Sequence, residues 1–224
     1  MKTKFEDVKE LRAFSGFNAE MYKEVLLSIG AYEKKFPKGA YIALSEEKVG
    51  CVSVILSGTV HMESEDIWGN KTILVFMNRG DLFGETFACG SAQVSLVNFY
   101  AATPVTALYL PYGEIMRFST TGSEAHRLLM QNIITLIADK NVRLIQKLEI
   151  VSKRTLRGKL LTYFSYMAKV RGAMEFDVPL GRVGLGEYLC ADRSALTREL
   201  SRMREDGLID FDRNHFKLLV DHDD

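Results

Sequence analysis

No stretch of the chain approaches the roughly 18 consecutive apolar residues that a membrane-spanning helix requires. The opening residues, Met1-Lys2-Thr3-Lys4-Phe5-Glu6-Asp7, lack the apolar core of a secretory signal. Cysteine is scarce: Cys51, Cys89 and Cys190 are an odd, scattered set. That pattern argues against a disulfide framework and points to reduced thiols and a cytoplasmic setting. Neither a CxxC pair nor a Cys/His cluster suggests a metal. Nucleophile–base motifs and glycine-rich phosphate loops are also missing, which argues against an enzyme. With 29 Lys+Arg against 29 Asp+Glu, the chain has no global charge field to draw in a polyanion.

What is present is more specific. The 224 residues, 47% hydrophobic and 26% charged, suit one large domain or two modest ones in water. The charge is unevenly spread. Lys153, Arg154, Arg157, Lys159, Lys169 and Arg171 fall between Ser152 and Met174 with no acid among them, while Asp221, Asp223 and Asp224 close the chain. A local basic strip fits a nucleic-acid partner, and equally a solvated face.

The pattern changes character twice. After small helical segments between Phe5 and Ile29, residues Tyr32 to Leu110 read as short strands: "YIALSEE", "CVSVILSGTVHM", "KTILVFM" and "VTALYLP". Turn residues separate them, at Pro37-Lys38-Gly39, Ser57-Gly58, Trp68-Gly69-Asn70, Arg79-Gly80-Asp81 and Thr103-Pro104. Many short strands with regular turns predict a sandwich, jelly roll or barrel. Trp68-Gly69-Asn70 suits a hairpin tip. From Ser123 to Val151 no Gly or Pro interrupts a helical pattern. Met130, Ile133, Ile137, Leu144 and Leu148 form its apolar seam, and Lys140 occupies one slot where an apolar residue belongs. A helix this long needs a partner. Either it crosses its own domain or it pairs with a twin; the latter is favoured because the strand region can close its own core. Ser152 is a good N-cap for the next helix.

The last segment contains "LCADRSALTRELSRMREDGLI". At about 100° per residue, Leu196, Leu200 and Met203 fall on one stripe. Ser194, Thr197, Arg198 and Ser201 lie on the far side, with Arg193 and Arg202 on the flanks and Asp192 as N-cap. Leu185 and Leu189 mark a shorter helix before a turn at Cys190-Ala191. This is a helix-turn-helix pattern, whose second helix suits the major groove of duplex DNA. Arginine there can donate two hydrogen bonds to guanine. The stretch after Gly207 reads as two short strands about an Asp212-Arg213-Asn214-His215 turn, a wing for the phosphate backbone.

With those parts in that order, the chain resembles the cyclic-AMP receptor protein and FNR family of bacterial transcription regulators. The likeness rests on "FPKGAYI", "VILSGTV", "NRGDLFGETFA", "SKRTLRGKLLTYF" and "LGEYLCADRSALTRELSRMREDGLI". "WGNKTIL" and "FACG" resemble a variant common in clostridia. The implied fold is α+β. It has an N-terminal β-roll, a cupin-like jelly roll of the cyclic-nucleotide-binding type, over 1–122, a long dimerisation helix over 123–151, and a C-terminal winged helix-turn-helix over 152–224.

The resemblance implies a homodimer paired through Met130, Ile133, Ile137, Leu144 and Leu148, and palindromic double-stranded DNA contacted by Arg193, Ser194, Thr197, Arg198, Ser201 and Arg202. RNA polymerase is a further implied partner. Arg193 and Arg198 match two DNA-contacting arginines of the family, whereas Ser194 stands where many members carry a base-reading glutamate. The implied effector pocket involves Gly84, Glu85, Thr86, Ser95 and Leu96. An effector there would repack the paired long helices, with a hinge near Val151 and Ser152.

In cyclic-nucleotide-binding members an Arg-Ser pair follows the Gly-Glu pair by about ten residues and holds the phosphate. Here that distance from Glu85 reaches Ser95-Leu96, and the next basic residue is Arg117. Burying a phosphate without a cationic partner costs several kcal/mol, so cyclic AMP is not expected as the effector. Glu85 also fits a structural carboxylate that caps backbone amides. His61 and His126 are candidate haem ligands, and Cys89 is a candidate oxidant sensor, although lone residues of either type are more often structural. The competing function is a small-molecule-binding or redox-sensing protein that acts through protein partners rather than DNA.

Overall fold

A computed structural model describes residues 3–69, 71–91, 93–118, 122–178 and 180–219. Asn70 of the expected hairpin tip and Asp221, Asp223 and Asp224 lie outside the described residues. The chain divides into two compact units, Met1–Asn141 and Val142–Asp224.

In the first unit, helix α1 (Ala19–Ser28) precedes strands β1 (Tyr32–Phe36), β2 (Tyr41–Ala43), β3 (Cys51–Ser57), β4 (Val60–Glu65), β5 (Lys71–Met77) and β6 (Leu82–Phe83). The short helix α2 (Glu85–Ala88) follows, then β7 (Asn98–Ala101), β8 (Val105–Pro111) and α3 (Tyr112–Arg117). The strands form two antiparallel four-stranded sheets, ordered β1-β8-β3-β6 and β2-β7-β4-β5. This is the expected jelly roll.

The unbroken apolar run of β3 has a physical reason. Its sheet is covered on both faces, so alternation between faces does not become alternation between apolar and polar. Val52, Val54 and Leu56, with Leu108 and Leu110 of β8, face a core shared with Phe14, Val25, Leu26 and Ile29. Ile55 and Ala107 face the inner core between the sheets, with Val60, Met77, Phe83 and Phe99. Strand β1, "YEKKF", is an edge strand paired only with β8 among the described residues, and its charged residues suit an edge position.

Gly58 makes the turn from β3 to β4 at φ +87, and a Cβ there would sit 2.2 Å from the Pro104 carbonyl oxygen. Gly58→Ala is therefore expected to cost at least about 1–3 kcal/mol, through left-handed strain and a backbone clash together. Thermal unfolding checks this, with a fall of several degrees in Tm as the expected result.

Helix α4 (Glu124–Val151) is 28 residues long. Ala125, Leu129, Ile133 and Leu136 are buried in the core of the first unit, and Met130 and Ile137 pack against them. Of the residues expected to form a dimer seam, Ile133 is thus buried in its own β-roll, while Met130 and Ile137 are half-buried against it. The apolar period expected from the sequence is present, and it runs from the intramolecular face at Ile133 to the exposed surface further along the helix. Leu144 and Leu148 are exposed.

The second unit contains α5 (Leu156–Arg171), β9 (Glu175–Asp177), α6 (Arg182–Leu189), α7 (Arg193–Glu205), β10 (Ile209–Asp212) and β11 (His215–Leu218). Its three strands form an antiparallel sheet in the order β10-β11-β9. Phe164 and Phe216, with ring centroids 4.7 Å apart, anchor a core that includes Leu160, Leu185, Leu189, Leu196, Leu200 and Met203. The N-cap of α5 is Thr155, whose hydroxyl accepts from Gly158 N at 3.0 Å. Ser152 instead donates to the Glu149 carbonyl at the end of α4.

Candidate nucleic-acid interface and effector pocket

The turn between α6 and α7 is tight. Cys190 closes α6 in the left-handed region at φ 51, and Ala191 N donates to Gly186 O at 2.9 Å. A Cβ on Gly186 would meet the Ala191 carbonyl oxygen at 2.9 Å, so the close return of the chain needs glycine there. Asp192 then caps α7, accepting from Ser194 N at 2.8 Å and Ala195 N at 3.0 Å. The Ser194 hydroxyl adds a third hydrogen bond, and together these hold the Asp192 carboxyl below the usual carboxylate range.

Leu196, Leu200 and Met203 are fully buried, and this fixes the roll of α7 about its axis. Arg193, Ser194, Thr197, Arg198, Ser201 and Arg202 are consequently all exposed. Asp192, Arg193, Ser194, Thr197 and Arg198 line one open concavity. The hydroxyls on this face are already engaged locally. Ser194 donates to Asp192, Thr197 to the Arg193 carbonyl at 3.0 Å, and Ser201 to the Thr197 carbonyl at 3.2 Å. Arg202 lies 3.9 Å from Glu199. The guanidinium groups of Arg193 and Arg198 are therefore the donors most available to a ligand.

Two members of the basic strip turn inward to brace this helix. Arg157 of α5 bridges Glu199 at 2.7 Å and Asp206 at 2.6 Å, and Lys159 donates to the Leu189 carbonyl at the end of α6. Lys153, Arg154, Lys169 and Arg171 remain exposed. The strip is thus partly structural, which charge patterning alone could not reveal.

The β10–β11 hairpin turns at Asp212-Arg213-Asn214, with Arg213 at φ 52. His215 of β11 ties it to β9, donating from Nε2 to Glu175 at 2.8 Å and from Nδ1 to Asp177 at 2.9 Å. Glu175 and then Asp177 raise the His215 pKa, and His215 in turn lowers that of Glu175. A raised histidine pKa contributes stability that is full below its ordinary value and is lost as pH rises through the folded value. The lowered Glu175 contributes stability that is present above its ordinary value and is lost on acidification. His215 should titrate above 6.5 by NMR, and Glu175→Gln should bring its midpoint down. A midpoint at or below 6.5 would contradict the bridge.

The sequence-derived effector residues do not all converge. Gly84, at φ +79, turns the chain so that Glu85 begins α2. Glu85 is 1% exposed, and Oε1 accepts from Lys140 Nζ at 2.7 Å and from the Thr86 hydroxyl at 3.1 Å. Ser95 is buried but spends its hydroxyl on Val97, donating to the carbonyl at 2.6 Å and accepting from the amide at 3.3 Å. Leu96 points outward, 77% exposed. Arg117 pairs with Glu114 at 3.1 Å. Sequence reasoning missed Lys140 as the partner of Glu85. The signal was its intrusion into an apolar seam.

The candidate haem and redox residues are otherwise employed. His126 engages the Ser28 hydroxyl at 2.7 Å through Nε2 and the Ser123 hydroxyl at 3.0 Å through Nδ1, so both ring nitrogens are used. His61 packs edge-on to Phe76, with Nδ1 3.9 Å from Glu63. Burial, then the Glu85 charge, raises the Cys89 pKa, which lowers the thiolate fraction an oxidant sensor needs.

Residues 33–121 match the family model described as the cyclic nucleotide-binding domain. Electron transport regulator A of Shewanella oneidensis is 24% identical over 195 residues, covering 85% of this chain and 75% of that protein. Among solved structures, the c-di-GMP responsive global regulator CLP of Xanthomonas campestris aligns with a TM-score of 0.65 at 15% identity, over 91% of this chain and 100% of that one. A CRP/FNR family transcriptional regulator of Thermus thermophilus, TTHA1359, aligns at 0.54 and 17% identity, over 84% of this chain and 94% of that one. Residues 33–121 thus match a cyclic nucleotide-binding domain, and the fold of the chain is similar to that of solved CRP/FNR transcription regulators.

Proposed function

We propose that the protein is a homodimeric, sequence-specific DNA-binding transcription regulator with an effector-responsive β-roll. The observation that carries this reading is the exposed face of α7, where two uncommitted arginines stand on a helix whose roll is set by three buried apolar residues. Such a rigid element can enter the major groove with its first turn against base edges. The β10–β11 hairpin would act as a wing on the phosphate backbone.

The dimer seam is best assigned to the outward stripe of α4. Ile134, Ala138, Asn141, Ile145 and Leu148 are exposed and alternate at spacings of four and three, the heptad pattern of a two-stranded coiled coil. Asn141 falls in the seam, where a single polar residue favours one register. Leu148 thus stays in the interface, while Met130, Ile133 and Ile137 leave it.

The effector is a small molecule other than cyclic AMP, because Ser95, whose hydroxyl is bound to Val97, and the outward Leu96 stand where the phosphate-holding pair would be. Selection of bound oligonucleotides from a random pool tests the function. A palindromic consensus is the expected result, and recovery of unrelated sequences would argue for the protein-partner alternative.

A further inference from the structure

Charged side chains are seldom buried, and Glu85 and Lys140 are 1% and 9% exposed. Lys140 Nζ lies 2.7 Å from Glu85 Oε1, and it also reaches the Leu82 carbonyl at 3.3 Å and the Met77 sulfur at 3.9 Å. In the two turns and more before it on α4, the buried residues Leu129, Ile133 and Leu136 are apolar. Lys140 is the next buried residue after them, past the half-buried Ile137, and the residues from 141 to 145 are all exposed. Within the first unit, the pair is therefore the last buried contact between α4 and the β-roll. Its polar groups are incompletely satisfied, since the buried Glu85 Oε2 has no hydrogen-bond partner among the described residues.

A buried ion pair adds little stability over an apolar pair of similar volume, but removing one partner strands a charge. Such a pair suits a contact that must be specific and breakable. We propose that Lys140 is an intramolecular ligand of Glu85, a latch that sets the course of α4 beyond Asn141 and so the spacing of the two DNA-reading helices. The functional part of this inference rests on the DNA-binding reading above.

The latch also restricts what can open it. A neutral apolar molecule would leave both charges bare. A simple anion would satisfy Lys140 and strand Glu85, and a simple cation would do the reverse. An opener must bring a hydrogen-bond donor or cation for Glu85 together with an anion for Lys140. A small amino acid or hydroxy acid has that chemistry.

Full-length Lys140→Met and the double variant Glu85→Gln/Lys140→Met test the latch through thermal unfolding, hydrogen exchange and DNA titration. The single variant should lose roughly 10 °C in Tm, because Glu85 is left buried and unpaired. The double variant strands no charge and should recover most of that loss. In both, amides of 137–151 should exchange at least tenfold faster than in the wild type, and in the double variant DNA affinity should differ at least tenfold from wild type. A double variant that regains Tm, exchange and DNA affinity together would make the pair mere filling and overturn the latch. If the wild-type protein itself fails to bind DNA, the functional reading fails separately. Hydrogen exchange then decides the latch, and unchanged exchange in both variants refutes it.

Discussion

Under the proposed function, Arg198→Ala is expected to abolish sequence-specific DNA binding while leaving the oligomeric state and Tm intact. The side chain is exposed on α7, and no ion pair holds it among the described residues. Its removal therefore opens no cavity and strands no charge. What it removes is a fork of donors. One bidentate base contact discriminates by about 1–3 kcal/mol, and a twofold dimer loses it twice, so the specific complex should weaken by roughly 2–6 kcal/mol. Arg171→Ala provides the contrast. Arg171 is an exposed member of the basic strip, and its loss should weaken all sequences alike and reduce the salt dependence. Equilibrium titrations at several salt concentrations separate the two effects. Unchanged specificity in the Arg198 variant would exclude it from base reading.

Ile145→Glu should convert the proposed dimer to monomers. Ile145 is 59% exposed, in the middle of the outward stripe of α4, so the substitution leaves the core of a single chain untouched. In a paired coiled coil it would set two carboxylates against each other in an apolar seam, and dimer affinity should fall at least a hundredfold. Ile133→Ala should behave in the opposite way. Ile133 is 5% exposed within the first unit, and its truncation should cost about 2–5 kcal/mol of stability without changing the oligomeric state. Sedimentation and thermal unfolding of the two variants distinguish the outward seam from the inward one. Dissociation by Ile133→Ala with no loss of stability would reverse the assignment.

These two residues also mark where the sequence could and could not be read. The 28-residue helix is plain from its uninterrupted pattern, and its apolar period is real. A single chain, however, shows one apolar seam without saying which neighbour covers it. The stronger seam, Leu129, Ile133 and Leu136, meets its own β-roll. The weaker one, diluted by Ala138 and Asn141, is left outside. On α7 there is no such ambiguity. Leu196, Leu200 and Met203 form the only apolar stripe on an otherwise polar helix, so burying it determines where Arg193 and Arg198 point.

The effector region was the least legible. Gly84-Glu85 stands out only through the family resemblance, and the partner of Glu85 lies 55 positions away on another element. No local pattern encodes such a pairing. Thr155 displaces Ser152 as the α5 cap for a smaller reason: both are good caps three residues apart, and α4 runs on to Val151 and claims Ser152 for its own last turn.

The account depends most on two α7 faces addressing one duplex together. Hydroxyl-radical footprinting of a selected site, with the stoichiometry of the complex measured alongside, tests this directly. Two protected half-sites centred about 10 base pairs apart, or a multiple of that spacing, with two chains bound per duplex, is the predicted result. One chain on a single half-site, or protection that does not depend on sequence, would contradict it.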